Sequence, residues 1–178
     1  MAISSRLAFA PERVNSCAWG VMRLPQVHNT VKQGLVTYAI ELARQKGVSA
    51  YVGNGLNRWP AVHVLDAARL YRLALENLEK GARYHAVAEE GVPMRDIAEV
   101  IGRGVKVPVI SVSPEKAPAH FGWLAAFAGR DLPASGALTQ ERLAWHPTGP
   151  GLIADLEQMR YQEAEMDVAS AIPARAAR

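Results

Sequence analysis

The chain has 178 residues, 49% hydrophobic and 21% charged, with a formal net charge of +3. This is about one domain's length, enough to bury its own core, and the composition excludes disordered, collagen-like and disulfide-rich classes. The single Cys17 has no partner for a disulfide or a structural zinc site. No apolar run approaches the length of about 18 residues that a transmembrane helix needs. Met1–Arg13 lacks the apolar segment of a secretory signal, so a cytoplasmic location is expected. Charge is uneven: residues 1–58 carry seven Lys/Arg against two Asp/Glu, and residues 59–178 carry thirteen against fifteen. The basic first third suits an anionic ligand or an acidic partner; solvated surface charge is the plainer reading.

In chain order, Ser16–Leu24 reads as a buried strand ended by Pro25. Thr30-x-x-Gln33 has capping-box spacing, and Val31, Leu35, Tyr38 and Leu42 follow at helical steps until Gly47 stops the helix. Ser49–Val52 is a short strand closed by the turn Gly53-Asn54-Gly55, and Pro60–Val64 is another strand. Asp66 is placed to cap a helix with Leu70, Ala74, Leu75 and Leu78 inward. Arg83–Ala88 is strand-like, and Pro93 opens a helix over Met94–Gly102 with Ile97, Val100 and Ile101 inward. Val107–Val112 is a β-branched strand, and Ser113-Pro114 begins a helical region reaching Phe127. Thr139 is placed to cap a short helix through Trp145, and Gly151–Tyr161 is a last helix with Leu152, Leu156 and Met159 on one side. Strands alternating with helices of this length mean an α/β protein.

The common catalytic signatures are missing from this sequence. It has no glycine-rich dinucleotide fingerprint, phosphate-binding loop, nucleophile elbow or HExxH pair, and its histidines are scattered, so no metal site is expected. Asp96-Ile97-Ala98 to Gly102 imitates the start of a helix-turn-helix, but the β-branched Val107–Val112 stands where a recognition helix would follow, so no nucleic-acid partner is expected. Two segments stand out. Arg23-Leu24-Pro25-Gln26-Val27-His28 forms a polar loop after a strand, where α/β proteins place ligands. Gly53 to Asp66 concentrates Asn54, Arg58, Trp59 and His63, with Arg58 suited to a carboxylate or phosphate and Trp59 to covering a ring. The alternative for that segment is a capped turn with His63 hydrogen-bonded inside.

Both segments carry a resemblance. Arg23-Leu24-Pro25-x-Val27-His28, then Tyr51-Val52-Gly53-Asn54-Gly55-x-Asn57-Arg58-Trp59-Pro60-Ala61-Val62-His63, resembles the second half of extended or atypical short-chain dehydrogenases/reductases, the NAD-dependent epimerase/dehydratase group. Tyr84-His85-Ala86-Val87, Gly91-Val92-Pro93-Met94, Leu143-Ala144-Trp145 and Gly149-Pro150-Gly151-Leu152 look like the same region of that family. The resemblance implies a partial Rossmann-like unit, a late strand and helix, joined to the substrate-binding C-terminal region over residues 14–162, with 1–13 an extension and 163–178 a flexible tail. It implies Pro25, Val27 and His28 on the side of an NAD or NADP cofactor, and Asn54, Arg58, Trp59 and His63 lining the pocket for a small-molecule substrate. No tyrosine here has a lysine four residues on, so the Tyr-x-x-x-Lys pair is missing along with the glycine-rich turn. The chain is therefore expected to lack dehydrogenase activity alone, not necessarily to bind the cofactor by itself, and either to self-associate or to pair with another chain supplying the missing half. The alternatives are a noncatalytic ligand-binding or interaction module and, weaker, an unrelated α/β enzyme using His63 and Asp66.

Overall fold

The computed structural model describes residues 20–77 and 79–161, and its strands group into three small sheets. β1 (Val21–Arg23) lies parallel to β5 (Arg83–His85), with Arg23 opposite His85. β2 (Gln26–His28) is parallel to β4 (Arg58–His63), which is antiparallel to β6 (Glu89–Pro93). β3 (Ser49–Val52) is parallel to β7 (Val109–Val112). The parallel pairs are connected through helices, as crossover connections require.

The helix α1 (Leu35–Lys46) differs from its expected start and phase. Asn29 takes the local turn, its Oδ1 accepting from the Val31 and Lys32 amides at 2.8 Å each. The Leu35 amide then donates to Gln26 Oε1 at 2.8 Å, so a side chain from β2 satisfies the first turn in place of a Thr30/Gln33 capping box. Gly34 precedes it at φ +57°, and a Cβ there would come within 2.7 Å of that same oxygen, so glycine is required. The buried stripe is Val36, Ile40 and Ala43; Val31 and Tyr38 are exposed. Gly47 ends the helix in the left-handed conformation, as expected.

The strand β3 occupies the expected Ser49–Val52. In α2 (Val64–Glu76), the N-cap is His63, whose Nδ1 accepts from the Leu65 amide, and Asp66 is used elsewhere. Its inward face is Ala67, Leu70 and Ala74, whereas Leu75 faces solvent. The expected strand over 83–88 is shorter, and the unanticipated β6 follows it; its Glu-Glu-Gly sequence has little β character, but it pairs along β4 with Val92 inward. α3 (Met94–Val105) follows Pro93 and buries Met94, Ile97, Ala98, Val100 and Ile101. The β7 strand settles the helix-turn-helix imitation. Beyond it lie α4 (Ala117–Phe121), a 3-10 turn (Gly122–Leu124) and α5 (Ala125–Ala128). α6 (Ala137–Leu143) holds Thr139 inside it, where the hydroxyl accepts from the His85 amide at 2.8 Å instead of capping. α7 (Leu152–Gln158) buries Leu152 and Leu156, with Met159 buried just beyond it.

There are two apolar clusters among the described residues. The larger joins α1, α3, α7 and β3 around Trp59; the smaller joins α2 and β5 around Tyr84 and Trp145. Cys17, Trp19, Leu78 and the expected end segments 1–13 and 163–178 lie outside the described residues. No described helix is long and apolar enough to cross a membrane.

The phase of α2 sets a test. Leu70 is 0% and Leu75 72% exposed. In urea denaturation, Leu70→Ala is expected to cost about 2–5 kcal/mol, and Leu75→Ala no more than about 0.5 kcal/mol.

Candidate functional site

Parallel pairing of β2 and β4 places His28 directly opposite His63 at the carboxyl ends of both strands. Their rings meet edge to face, with centroids 5.8 Å apart. Residues 35 positions apart in sequence are thus joined by register alone.

His28 is 1% exposed, and its Nδ1 donates to Asp155 Oδ2 on α7 at 2.6 Å. A carboxylate can only accept, so the proton sits on Nδ1. The other ring nitrogen has no hydrogen-bond partner and lies 3.9 Å from Glu89 Oε2. That Glu89 oxygen accepts from the Leu152 amide at 2.7 Å, on the first turn of α7. His63 Nε2 lies 3.8 Å from the same Asp155 oxygen. On the next turn of chain, Asp66 Oδ2 accepts from the Gly149 amide at 2.7 Å, and both its oxygens accept from the Thr148 amide at 3.1 Å. The Trp145 indole donates to the Asp66 carbonyl at 3.1 Å. A Cβ at Gly149 would approach His63 Cβ to 2.7 Å and Asp66 Oδ2 to 2.8 Å, so the loop lies directly against the site. Residues 145–152 are therefore fastened over the β2/β4 ends by Asp66 of α2 and Glu89 of β6. Among the described residues no cluster has a metal-binding arrangement.

The residues singled out from sequence divide between two places. Pro25 and Val27 are half-buried and lead into His28, with Val27 opposite Val62. Arg58 opens β4, about 16 Å from His63 at the usual strand rise, and Asn54 lies in the turn that precedes it. Asn54 is exposed and its Oδ1 accepts from the Leu56 amide. Arg58 grips Asp131 through Nε at 3.0 Å and Nη2 at 2.9 Å, while its amide donates to Oδ1 at 2.8 Å. These contacts hold the Asp131 carboxyl below its ordinary range and raise the Arg58 guanidinium. Trp59 is 1% exposed and donates to the Phe127 carbonyl, so its ring is spent on the core and is not presented to a ligand.

Sequence reasoning missed Glu89 and Asp155 in this cluster and His85 at the end of β5. His85 Nε2 lies 3.2 Å from Arg23 Nη1, and its Nδ1 lies 3.2 Å from the Ser135 carbonyl. No local signal marked His85: the sequence places it within the strand-like run 83–88, and only the structure ends β5 there. For proton transfer, Tyr161 offers nothing, since burial pushes its phenol up to about 12.

No protein-family model matches the chain. It is 49% identical over 156 residues to Uncharacterized protein C2A9.02 of Schizosaccharomyces pombe, a match covering 87% of this chain and 52% of that protein. It is 44% identical over 137 residues to Uncharacterized protein YLL056C of Saccharomyces cerevisiae, covering 76% of this chain and 46% of that one. The chain thus spans about half the length of these relatives. Among solved structures, DesIV, a dTDP-glucose 4,6-dehydratase from Streptomyces venezuelae with NAD bound, aligns at a TM-score of 0.59 and 16% identity, over 82% of this chain and 44% of that one. A Thermus thermophilus UDP-glucose 4-epimerase in complex with NAD aligns at 0.58 and 16%, over 83% and 47%. The human epimerase family protein SDR39U1 with NADPH aligns at 0.56 and 19%, over 80% and 48%. This chain has their mixed α/β, Rossmann-like fold, over most of its own length.

Two outcomes follow from the geometry. Asp155→Ala leaves the buried His28 donor without an acceptor and is expected to cost about 1–3 kcal/mol in urea denaturation; Asp155→Asn keeps a carbonyl acceptor and is expected to recover most of that loss. The unfolded chain binds a proton at Asp131 more readily than the folded one. Its contribution is therefore present above the ordinary value of 3.8 and lost as pH falls through the depressed folded value. Thermal melts of Asp131→Asn are expected to show a slightly shallower acid limb than the parent, with the difference shrinking in high salt.

Proposed function

We propose that this chain is the substrate-binding half of an NAD(P)-dependent oxidoreductase or epimerase, which self-associates or pairs with a chain that supplies a glycine-rich dinucleotide-binding half. The observation that carries this reading is the β2/β4 register, which sets His28 and His63 side by side at the carboxyl ends of parallel strands. In open α/β sheets that edge is where ligands sit. Support also comes from the lengths: the chain matches 44% and 47% of two solved chains that hold NAD.

Pro25 and Val27, half-buried beside that edge, suit the apolar nicotinamide end of the cofactor. No glycine-rich turn for a pyrophosphate stands in the sequence, so the fit extends to that end alone. When bound, the nicotinamide supplies the hydride chemistry. His28 and His63 hold the strand ends and the 145–152 loop that wall the pocket, with His63 the more accessible of the two. Asn54 and Arg58 form a second, distant part of the substrate face, where Arg58 meets a ligand anion only by exchanging Asp131 for it. Trp59 supports that face from the core.

The need for completion rests on the β1 edge. Among the described residues β1 pairs only with β5. Beside it, Gly20, Val21, Met22, Tyr71, Leu75 and Tyr84 line a shallow apolar hollow. An unpaired strand edge next to apolar surface is a site for a further layer.

Sedimentation velocity over a wide concentration range, with NADH and NADPH titrations by calorimetry, tests the reading. The chain is expected to self-associate, and neither nucleotide is expected to bind the monomer below millimolar concentration. A monomer at every concentration that binds NADPH tightly by itself would overturn the completion model. The absence of any nucleotide binding, even in the assembled form, would overturn the cofactor assignment.

A further inference from the structure

The two strand-end arginines are held in opposite ways. Arg58 is clamped on a carboxylate by both guanidinium nitrogens that face it, and its charge is cancelled. Arg23 ends β1 in register with His85 on β5, and among the described residues its side chain makes one polar contact, to His85 Nε2 at 3.2 Å. A guanidinium has donors only, so His85 Nε2 must accept. The ring proton then sits on Nδ1, which faces the Ser135 carbonyl at 3.2 Å. The backbone of the pair is also fixed, since the His85 amide donates to the buried Thr139 hydroxyl and the Ala86 amide to the Arg23 carbonyl.

A neutral imidazole oriented this way aims the guanidinium without neutralising it. Among the described residues no carboxylate lies within ion-pair distance of Arg23. The side chain is solvent-exposed, at the carboxyl end of a parallel strand pair. Its remaining donors form the planar fork that matches a carboxylate or phosphate.

We propose that Arg23, aimed by His85 and Ser135, is an oxyanion-binding site for a carboxylate or phosphate group of the ligand. It is separate from the Arg58 position, and it rests on local geometry, whatever the cofactor or substrate of the assembled protein. His85 is a positioning residue, since it acts through Arg23.

The test is a titration of the full chain with sodium phosphate and, separately, sodium acetate, read from arginine Nε–H signals by NMR. Sodium chloride at matched ionic strength is the control. Arg83, exposed at the other end of β5, gives an internal reference for nonspecific screening. Arg23 is expected to shift saturably, at lower oxyanion concentration than Arg83, with one or both anions; which anion answers identifies the ligand group. Arg23→Gln, which circular dichroism should show folded, is expected to abolish the saturable response of neighbouring signals. His85→Ala is expected to weaken the apparent affinity about three- to tenfold, and His85→Gln, which keeps an acceptor, to restore most of it. An Arg23 response that tracks Arg83, that chloride reproduces, or that His85→Ala leaves unchanged overturns the proposal. Because the probe is a bare anion, a failed dinucleotide titration leaves this result standing, and a failed anion titration leaves that one standing.

Discussion

The buried contact between His28 and Asp155 is the constraint on which the candidate site depends. It joins a strand of three residues to a short helix 127 positions later, in an interior where neither group reaches water. A polar group placed there without a partner carries the full desolvation cost. The pair therefore ties the correct docking of α7 to the correct pairing of β2. His63 lies 3.8 Å from the same carboxylate and Glu89 3.9 Å from the other ring nitrogen of His28, so β4 and β6 share the constraint. The strand ends are thereby held by charge and hydrogen bonding as much as by apolar packing.

Division of the molecule into two apolar clusters gives the fold its functional logic. The cluster around Trp59 joins α1, α3, α7 and β3 in the larger apolar core. The cluster around Tyr84, Trp145 and α2 is thinner, and it carries the β1–β5 pair with its open edge. The β2–β4 register and the Asp66 contacts to the 145–149 loop run between the two. The proposed ligand-facing positions thus fall at a seam, a common location for binding sites.

Much of the α/β order was legible in the sequence, and the reasons are particular. β3 was legible because Ser49–Val52 is bounded by Gly47 and Gly53-Asn54-Gly55; α3 because Ile97, Val100 and Ile101 keep helical spacing behind Pro93. α1 was misphased because Val31 looks like the start of the stripe, yet the amide of Leu35 is capped by Gln26, a side chain from another strand. β6 was invisible because a single buried valine cannot announce a strand. At the site, the interest of His28 and His63 was legible through their loops and the family resemblance, but their juxtaposition depends on strand register. Glu89 and Asp155 had no local signal at all, since their meaning lies in contacts across 63 and 127 positions. Arg58 and Trp59 looked like ligand groups because their chemistry suits ligands; the fold uses one for an ion pair with Asp131 and the other for its core.

The fastening of the 145–152 loop has a consequence for how the protein breathes. The amides of Thr148, Gly149 and Leu152 donate to carboxylates on α2 and β6. Those carboxylates sit on elements rooted in different clusters. Exposing the three amides together requires both roots to loosen, so their exchange with solvent belongs to the slow, cooperative class that reports large-scale opening. A loop with the composition of a hinge, two glycines and two prolines in five residues, is therefore held as firmly as a helix end, by carboxylates from two elements.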